Sequence, residues 1–346
     1  MRVAVAMSGG VDSSVVAGLM ARAGHEVIGI TLQLYDHGAA TARKGACCAG
    51  QDIYDAKRVA DRLGIAHYVV DSEARFKNSV MSAFADAYAA GETPVPCIAC
   101  NQHLKFGDLL DMARDFGAEA MATGHYVRRL DGPEGAEMHQ AVDPSRDQSW
   151  FLFATTREQL DFCRFPLGDY ASKAEVRAVA AEMGLAVAEK ADSQDICFVP
   201  SGSYAGIVEK FRPDALEAGE VVAEDGRVLG SHQGIARYTI GQAKRLPDAA
   251  AHMVVKKIEP GTRRIIVGPR GTHSAVVRLR GVNWLTAPRP LRAEVKLRAR
   301  DSLRGASITP EGTGAVLTLD EPALAAPGQA AVFYDGTRIL GGGFII

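Results

Sequence analysis

The chain has 346 residues, 47% hydrophobic and 23% charged. That is longer than one core usually organises and far from a disordered composition, so two or three domains are expected. Six cysteines are too few for a disulfide scaffold, no apolar run approaches a membrane span, and Val3 to Met7 is too short for the core of a signal peptide. The chain reads as soluble and cytoplasmic, with no membrane partner. The formal net charge of −2 hides an asymmetry: residues 256–304 hold thirteen Lys or Arg against Glu259, Glu294 and Asp301. Such a block on an otherwise acidic chain suits a polyanion-binding surface, or equally a set of solvated strand faces.

In chain order, Val3-Ala4-Val5-Ala6-Met7 predicts a buried strand, and Val15, Val16, Leu19 and Met20 a helix ending at Gly24. Val27 to Leu32 is a second strand. Ile53, Ala56, Ala60 and Leu63 mark a helix stopped at Gly64, and Ala66 to Val70 a third strand. Phe106, Leu109, Leu110 and Ala113 mark a helix with Asn101 as its N-cap, followed by a strand over 118–123. Alternation of this kind predicts an α/β domain with a parallel sheet, whose ligands bind beyond the carboxyl ends of the strands. Ser8-Gly9-Gly10, Leu32 to Tyr35 and Thr123-Gly124-His125 all fall there.

Ser172-Lys173-Ala174-Glu175 is a capping box. Beyond about residue 200, short strands are punctuated by turns such as Pro260-Gly261, Pro327-Gly328 and Asp335-Gly336. Val295 to Arg300 alternates apolar residues and cations, predicting a half-buried strand that carries Arg298 and Arg300 on its wet face. The expected layout is a catalytic domain over 1–200, a small β-rich central domain over 201–272 and a C-terminal β-barrel over 273–346.

Ser8-Gly9-Gly10-Val11-Asp12-Ser13-Ser14 joins the first strand to the first helix. Two glycines let the backbone turn sharply and approach an anion, and the helix N-terminus adds free N–H donors. Ser8, Ser13 and Ser14 offer hydroxyls, and Asp12 a ligand for phosphate-bound Mg²⁺. Neither a Walker loop nor a dinucleotide fingerprint is present; the competing reading is a plain Gly-rich turn. The heptad resembles the pyrophosphate loop of the ATP pyrophosphatases, which split ATP between its α and β phosphates. Sulfur transfer, amidation and ligation all remain open at this point.

Cys97-Ile98-Ala99-Cys100 precedes the helix expected near Asn101, where a thiolate at Cys100 would be stabilised by the helix dipole. Cys197 lies in Asp192-Ser193-Gln194-Asp195-Ile196-Cys197-Phe198. Cys163, beside Phe162 and Phe165, reads as core, and Cys47 and Cys48 lean the same way. A lone Cys-x-x-Cys is weak evidence for zinc.

With Thr93 to Asn101, Ala122 to Tyr126, Asp147 to Leu152, Gly230 to Gly234 and Thr239 to Gln242 added, the chain resembles the family of bacterial tRNA-specific 2-thiouridylases, in the family's order over most of its length. The resemblance implies adenylation of the C2 oxygen of wobble uridine 34, release of AMP and diphosphate, and transfer of a persulfide sulfur. It makes Cys197 the persulfide carrier and Cys100 the second thiol, paired in a transient Cys100–Cys197 disulfide. It assigns ATP to Ala6, Met7, Ser8, Gly9, Gly10, Val11, Asp12, Ser13, Leu32 and Gly124. It assigns the tRNA anticodon stem-loop to His125, Arg146, Asp147, Gln148, Arg298, Arg300 and Gln329, and implies a sulfur-donor protein of a persulfide relay.

Dull competitors stand beside these: His125 as a hydrogen bond to its own loop, Leu32 as sheet core, Arg298 and Arg300 as an ordinary wet face. Val95-Pro96 replaces the family's Asn-Pro, Tyr238 replaces its His, and Lys244-Arg245-Leu246-Pro247 shortens a Gly-rich stretch. An iron–sulfur cluster on Cys97, Cys100 and Cys197 is the less favoured alternative. An amide-forming ligase of the same superfamily and a non-catalytic RNA-binding module are the other rivals.

Overall fold

The computed structural model describes residues 1–34, 48–192, 196–199, 204–271 and 274–346. The chain divides into two compact units, one of residues 1–79, 98–194 and 336–339, the other of 80–97, 195–335 and 340–346. Among the described residues, no helix is long and apolar enough to cross a membrane.

The first unit contains β1 (Arg2–Ala6), α1 (Val11–Arg22), β2 (Glu26–Gln33), α2 (Cys48–Leu63) and β3 (Ala66–Asp71). After α3 (Glu73–Phe76) the chain enters the second unit, which holds α4 (Ala83–Ala89) and the first residues of α5 (Pro96–Ala99); this helix runs through a π-helical stretch, Cys100–Asp108, into α6 (Leu109–Asp115) of the first unit. Next come β4 (Ala120–Ala122), the hairpin β5 (Val127–Gly132) and β6 (Gly135–Gln140), α7 (Arg157–Phe162), β7 (Cys163–Arg164) and α8 (Lys173–Glu182).

Five strands form a wholly parallel sheet in the order β3-β2-β1-β4-β7. The expected α/β domain is therefore present. β1 is buried on both faces, because a central parallel strand has no wet face: Ala4 is buried on one, and on the other Val3 and Val5 are buried together with Val15, Val16, Val59 and Val176.

Three expectations need correction. Asn101 is not an N-cap: the helix starts at Pro96, whose missing N–H and fixed φ suit the first helical position, so Asn101 lies inside the helix and is buried. Cys97 rather than Cys100 is therefore the thiol in the first turn. Third, β13 (Leu291–Lys296) stops before Arg298 and Arg300, which lie in the bend beyond it. Alternation does persist to Leu297, which is buried, but Lys296 is the last residue to pair with β16.

The second unit holds α9 (Ala205–Phe211) and two β systems. β8 (Gly219–Ala223), β9 (Val228–His232), β10 (Met253–Glu259) and β11 (Arg264–Pro269) form a sheet ordered β10-β11-β8-β9. β12 (Ser274–Trp284), β13, β14 (Arg304–Glu311), β15 (Gly314–Ala323), β16 (Ala330–Asp335) and β17 (Arg338–Ile345) are arranged in the order β12-β15-β14-β13-β16-β17. Pairing of β12 with β17 closes this antiparallel barrel around Val277, Leu279, Val295, Ile308, Leu317 and Phe333. The boundaries expected at 200/201 and 272/273 fall on residues outside the described ones, as do Cys47 and the side chain of Cys48.

The parallel sheet places its sharpest turn at Gly9. Its φ is +73°, and a Cβ there would stand 2.1 Å from the Asp52 carbonyl oxygen. Gly9→Ala thus meets both backbone strain and a clash with α2. The variant should lose more than about 2 kcal/mol of stability, measured by urea unfolding; an unchanged midpoint would refute this account of the turn.

Candidate active site

The Ser-Gly-Gly loop begins just past β1 and delivers Gly10 as the N-cap of α1. Its hydroxyls divide their work. Ser13 Oγ accepts from Ser8 N at 3.1 Å and lies 3.3 Å from Gly10 O; Ser14 Oγ donates to Gly10 O at 2.8 Å. Ser13 and Ser14 are buried and Ser8 is exposed. The first two hydroxyls are thus spent on holding the turn, and the hydroxyl of the exposed Ser8 lies 3.3 Å from Ser13 Oγ.

Two lysines brace this loop from opposite flanks. Lys190 Nζ donates to Gly9 O at 2.9 Å and pairs with Asp52 at 2.7 Å and Asp55 at 2.5 Å. Burial opposes its charge, but hydrogen bonds to the two carboxylates outweigh it and hold the ammonium above its ordinary value. Burial likewise pushes the Asp55 carboxyl up, and the hydrogen bond from Lys190, with one from Gln51, more than reverses this.

Lys173 is the first residue of α8, where side chains lean back past the helix N-terminus. Ser172 Oγ caps this helix by accepting from Glu175 N at 3.3 Å, while Glu175 reaches Ala171 N instead of closing the box. Only 8% exposed, Lys173 donates to both oxygens of Asp12 at 2.7 and 2.6 Å and pairs with Asp192 at 3.1 Å. Tyr126 Oη donates to Asp12 Oδ1 at 2.7 Å. Burial, then this bond to a carboxylate, pushes the phenol far above its ordinary value. Asp192 also accepts from Arg146 at 2.9 Å and Arg177 at 3.1 Å. Burial would raise its carboxyl, but hydrogen bonds from Lys173 and Arg146 bring it below the usual range.

Gly124 comes after β4 and touches the same helix end: a Cβ there would lie 3.0 Å from both Asp12 Cβ and Ser13 N. His125 is held by its own loop. Lys105 Nζ, 3.4 Å away, can only donate to Nε2, so Nδ1 carries the proton and donates to Thr123 Oγ1 at 2.9 Å. Burial, with Lys105 adding to it, holds His125 well below its ordinary value. Leu32 is partly buried near the carboxyl end of β2.

The other expected site residues carry internal duties. Asp147 accepts from Ser149 Oγ at 2.7 Å and Ala141 N at 3.1 Å, and Gln148 Oε1 from Tyr126 N at 2.8 Å. Gln329 donates to Thr93 O at 2.9 Å. Cys100 is buried at the start of the π-helical stretch, a geometry often found at functional sites. Cys197 is exposed on a turn whose next residues, Phe198 and Val199, are buried; Phe198 packs edge-on against Phe84 with centroids 5.5 Å apart. Ser193, Gln194 and Asp195 lie outside the described residues. Burial raises Cys163 to about 12, which fits a core thiol. Among the described residues, no group of three or more His, Cys, Asp or Glu is arranged to hold a metal ion.

The basic block is less bare than its composition suggests. Lys257, Arg263, Arg264, Arg278, Arg280 and Arg292 pair with Glu259, Glu217, Glu220, Glu311, Glu92 and Asp320. All these acids but Glu259 lie outside the block in sequence, so composition could not reveal the neutralisation. Lys296, Arg298, Arg300 and Arg304 form no ion pair with a described residue. Lys173, Lys190, Tyr126, Asp52 and Asp55 were missed as site residues; the capping-box reading of 172–175 had given Ser172 and Glu175 their roles and left Lys173 none.

A half-buried histidine held below its ordinary value makes stability depend on pH with a definite sign. The unfolded chain takes up a proton near pH 6.5 and the folded one only well below, so stability falls as pH drops beneath about 6.5. His67 and His232, also lowered chiefly by burial, act in the same direction. Unfolding free energy should be lower at pH 5.5 than at pH 7.5. His125→Gln should flatten that slope by at most about 1.4 kcal/mol per pH unit; an unchanged slope in urea titrations would contradict this.

Residues 1–201 match the family described as tRNA methyl transferase HUP domain, 207–269 the tRNA methyl transferase PRC-barrel domain and 274–345 the aminomethyltransferase beta-barrel domain. A tRNA-specific 2-thiouridylase MnmA of Acidiphilium cryptum is 68% identical, covering 100% of both chains. The protein of the same name from Gluconobacter oxydans is 63% identical over 100% of this chain and 99% of its own, and that from Paracoccus denitrificans 57% over 99% and 91%. Identity at this level along the whole length, together with all three domain matches, makes the chain a member of the tRNA-specific 2-thiouridylase family.

Proposed function

We propose that this chain 2-thiolates the wobble uridine, position 34, of tRNA, at the expense of ATP. The observation that carries the reading is the convergence of the Gly9 turn, the α1 N-terminus, Asp12 and Gly124 at the carboxyl edge of the parallel sheet. The uracil C2 oxygen is a poor leaving group. Transfer of AMP onto it makes a phosphate ester that can depart, and diphosphate leaves from ATP. First-turn N–H groups of α1 have no intrahelical acceptor and suit the phosphates; Ser8 adds an exposed hydroxyl.

Mg²⁺ fits this donor set. Asp12 offers one partly exposed carboxylate, which suits an ion that arrives on the triphosphate and keeps water and phosphate oxygens as its other ligands. The ion would supply charge neutralisation. Lys173 and Tyr126 orient the Asp12 carboxylate beforehand.

Cys197, exposed on its anchored turn, is the reading's persulfide carrier, loaded by a protein of a sulfur relay. Its outer sulfur attacks C2 and AMP departs, leaving the base joined to Cys197 through two sulfurs. The Cys100 thiolate then attacks the Cys197 sulfur, the thiouridine sulfur leaves with the electron pair, and a Cys100–Cys197 disulfide remains. A dithiol reductant restores both thiols. The tRNA is assigned to His125, Arg146, Asp147, Gln148, Gln329 and the bend bearing Arg298 and Arg300, whose cations lack described partners and remain available to phosphates.

Enzyme incubated with tRNA, ATP, Mg²⁺ and a persulfide donor should yield 2-thiouridine by nucleoside mass spectrometry, and AMP in equal amount. Cys100→Ser and Cys197→Ser should each abolish the thionucleoside. Full activity of anaerobically purified enzyme with stoichiometric iron and no Cys197 persulfide would replace the persulfide route by a cluster. Pyrophosphate release that survives in both serine variants, with no thionucleoside formed by the parent, would point instead to an amide-forming ligase.

Replacing Arg298 and Arg300 together by Gln should weaken tRNA binding and reduce the slope of log affinity against log salt by about 2. ATP affinity should not change. A tRNA affinity and salt slope equal to those of the parent would remove these residues from the RNA surface.

A further inference from the structure

The residues that lead into α5, Glu92-Thr93-Pro94-Val95-Pro96, are fastened by the barrel of their own unit. Thr93 donates its N–H to Pro327 O at 2.7 Å, and its carbonyl accepts from Gln329 Nε2 at 2.9 Å. Glu92 receives both ends of the Arg280 guanidinium, each at 2.7 Å. The intervening turn comes so close that a Cβ on Gly328, at φ +85°, would lie 2.8 Å from Glu92 Cβ and from Thr93 N. Two consecutive residues are thus held by a bidentate ion pair, a backbone bond, a side-chain amide and direct packing.

The chain just beyond Thr93 is stiff. Pro94 and Pro96 lock φ at two of the next three positions, and Pro96 is the first residue of α5. Cys97 comes next and Cys100 one helical turn later. A displacement of Thr93 therefore has few soft dihedrals in which to dissipate before it reaches the thiols. The ion pair itself is partly exposed, at 49% for Arg280 and 20% for Glu92. Exposed pairs add little to stability, so the feature to explain is the geometry they fix.

We propose that Glu92, Arg280 and Gln329 are positioning residues that set the place of the Cys97–Cys100 segment by fastening its rigid approach to the barrel. The proposal rests on the functional reading in which Cys100 is a reacting thiol. It gives Gln329, assigned by the sequence to tRNA, a task within the protein. Misplacing a reacting group by about an ångström costs up to about 100-fold in rate, so loss of the pair should appear in kcat and leave substrate affinity intact.

The test uses the full-length enzyme with tRNA, ATP, Mg²⁺, a persulfide donor and a dithiol reductant, and in parallel, without reductant, the alkylation of Cys100 by iodoacetamide, mapped by mass spectrometry. Glu92→Gln and Arg280→Met should each lower kcat about tenfold with the tRNA KM within about twofold. Cys100, buried in the parent, should be alkylated at least about threefold faster. The exchanged pair, Glu92→Arg with Arg280→Glu, should restore both readouts. Gln329→Ala, also assigned to tRNA and so read by alkylation of the free enzyme alone, should raise the Cys100 rate likewise and serves if a charge variant does not fold. Folded variants with parental kcat and alkylation would overturn the proposal, as would a loss confined to tRNA KM, or an exchanged pair no better than the single variants. Absence of 2-thiouridine with the parent enzyme would sink the functional reading instead, while the alkylation arm still decides whether the approach is fastened.

Discussion

A lysine ammonium is only 8% exposed between two carboxylates in the first unit, and the placement of the candidate site depends on it. Desolvating such a charge costs several kcal/mol, recovered only where the geometry is close and the remaining donors are used. Lys173 meets that condition with both Asp12 oxygens and one Asp192 oxygen. A buried ion pair is weak evidence for stability, since apolar residues of similar volume would often serve as well. Apolar residues would not, however, supply an Asp12 carboxylate oriented before any nucleotide arrives. The same ammonium fixes Asp192, so one charge serves both Asp12 at the start of α1 and the carboxylate that Arg146 and Arg177 share.

Preorganisation extends to the loop's other flank. Lys190 ties Gly9 O to Asp52 and Asp55 on α2, while the Asp52 carbonyl leaves no space for a side chain at residue 9. The loop is therefore bounded by α2 on one side and by α8 on the other, with its own serines closing the turn from within. Donors aimed at an anion are most effective when they need not reorganise on binding, and this loop has few ways to do so.

The parallel sheet and the phosphate loop were legible in the sequence because both rest on local signals: apolar runs of strand length, helical spacing, and glycines where the backbone must turn. Errors arose where a partner distant in sequence decides. Alternation through Leu297 reports which face a residue takes, but a strand lasts only as long as its neighbours pair with it, and β16 pairs no further than Lys296. The excess of cations over 256–304 was real in sequence and about half cancelled in space, because Glu217, Glu220, Glu311, Asp320 and Glu92, all distant in sequence from their partners or outside the block, lie alongside it. Asn101 resembled a cap because polar residues before an apolar face usually are; Pro96, five residues earlier, set the true start. Lys173 had no signature at all, since its role exists only once α8 is laid beside α1.

Two glycine-bearing motifs that look equally diagnostic in sequence differ in what they leave unsatisfied. In Gly230-Ser231-His232-Gln233-Gly234, His232 is buried, its Nδ1 accepting from Gly234 N at 3.0 Å and its Nε2 donating to Arg263 O at 2.9 Å. Tyr238, at the family's histidine position, is buried too and donates to Arg245 O at 2.8 Å, where Arg245 takes the left-handed conformation at φ 68°. The tyrosine hydroxyl thus holds the 244–247 segment at its left-handed residue. Such motifs close on themselves, and their residues are explained once the central sheet is folded. The Ser8–Ser14 loop leaves more open: its helix N-terminus has N–H groups without intrahelical acceptors, and its Asp12 carboxylate is partly exposed and held in readiness. Chemistry belongs to the motif whose donors the fold has oriented but not consumed.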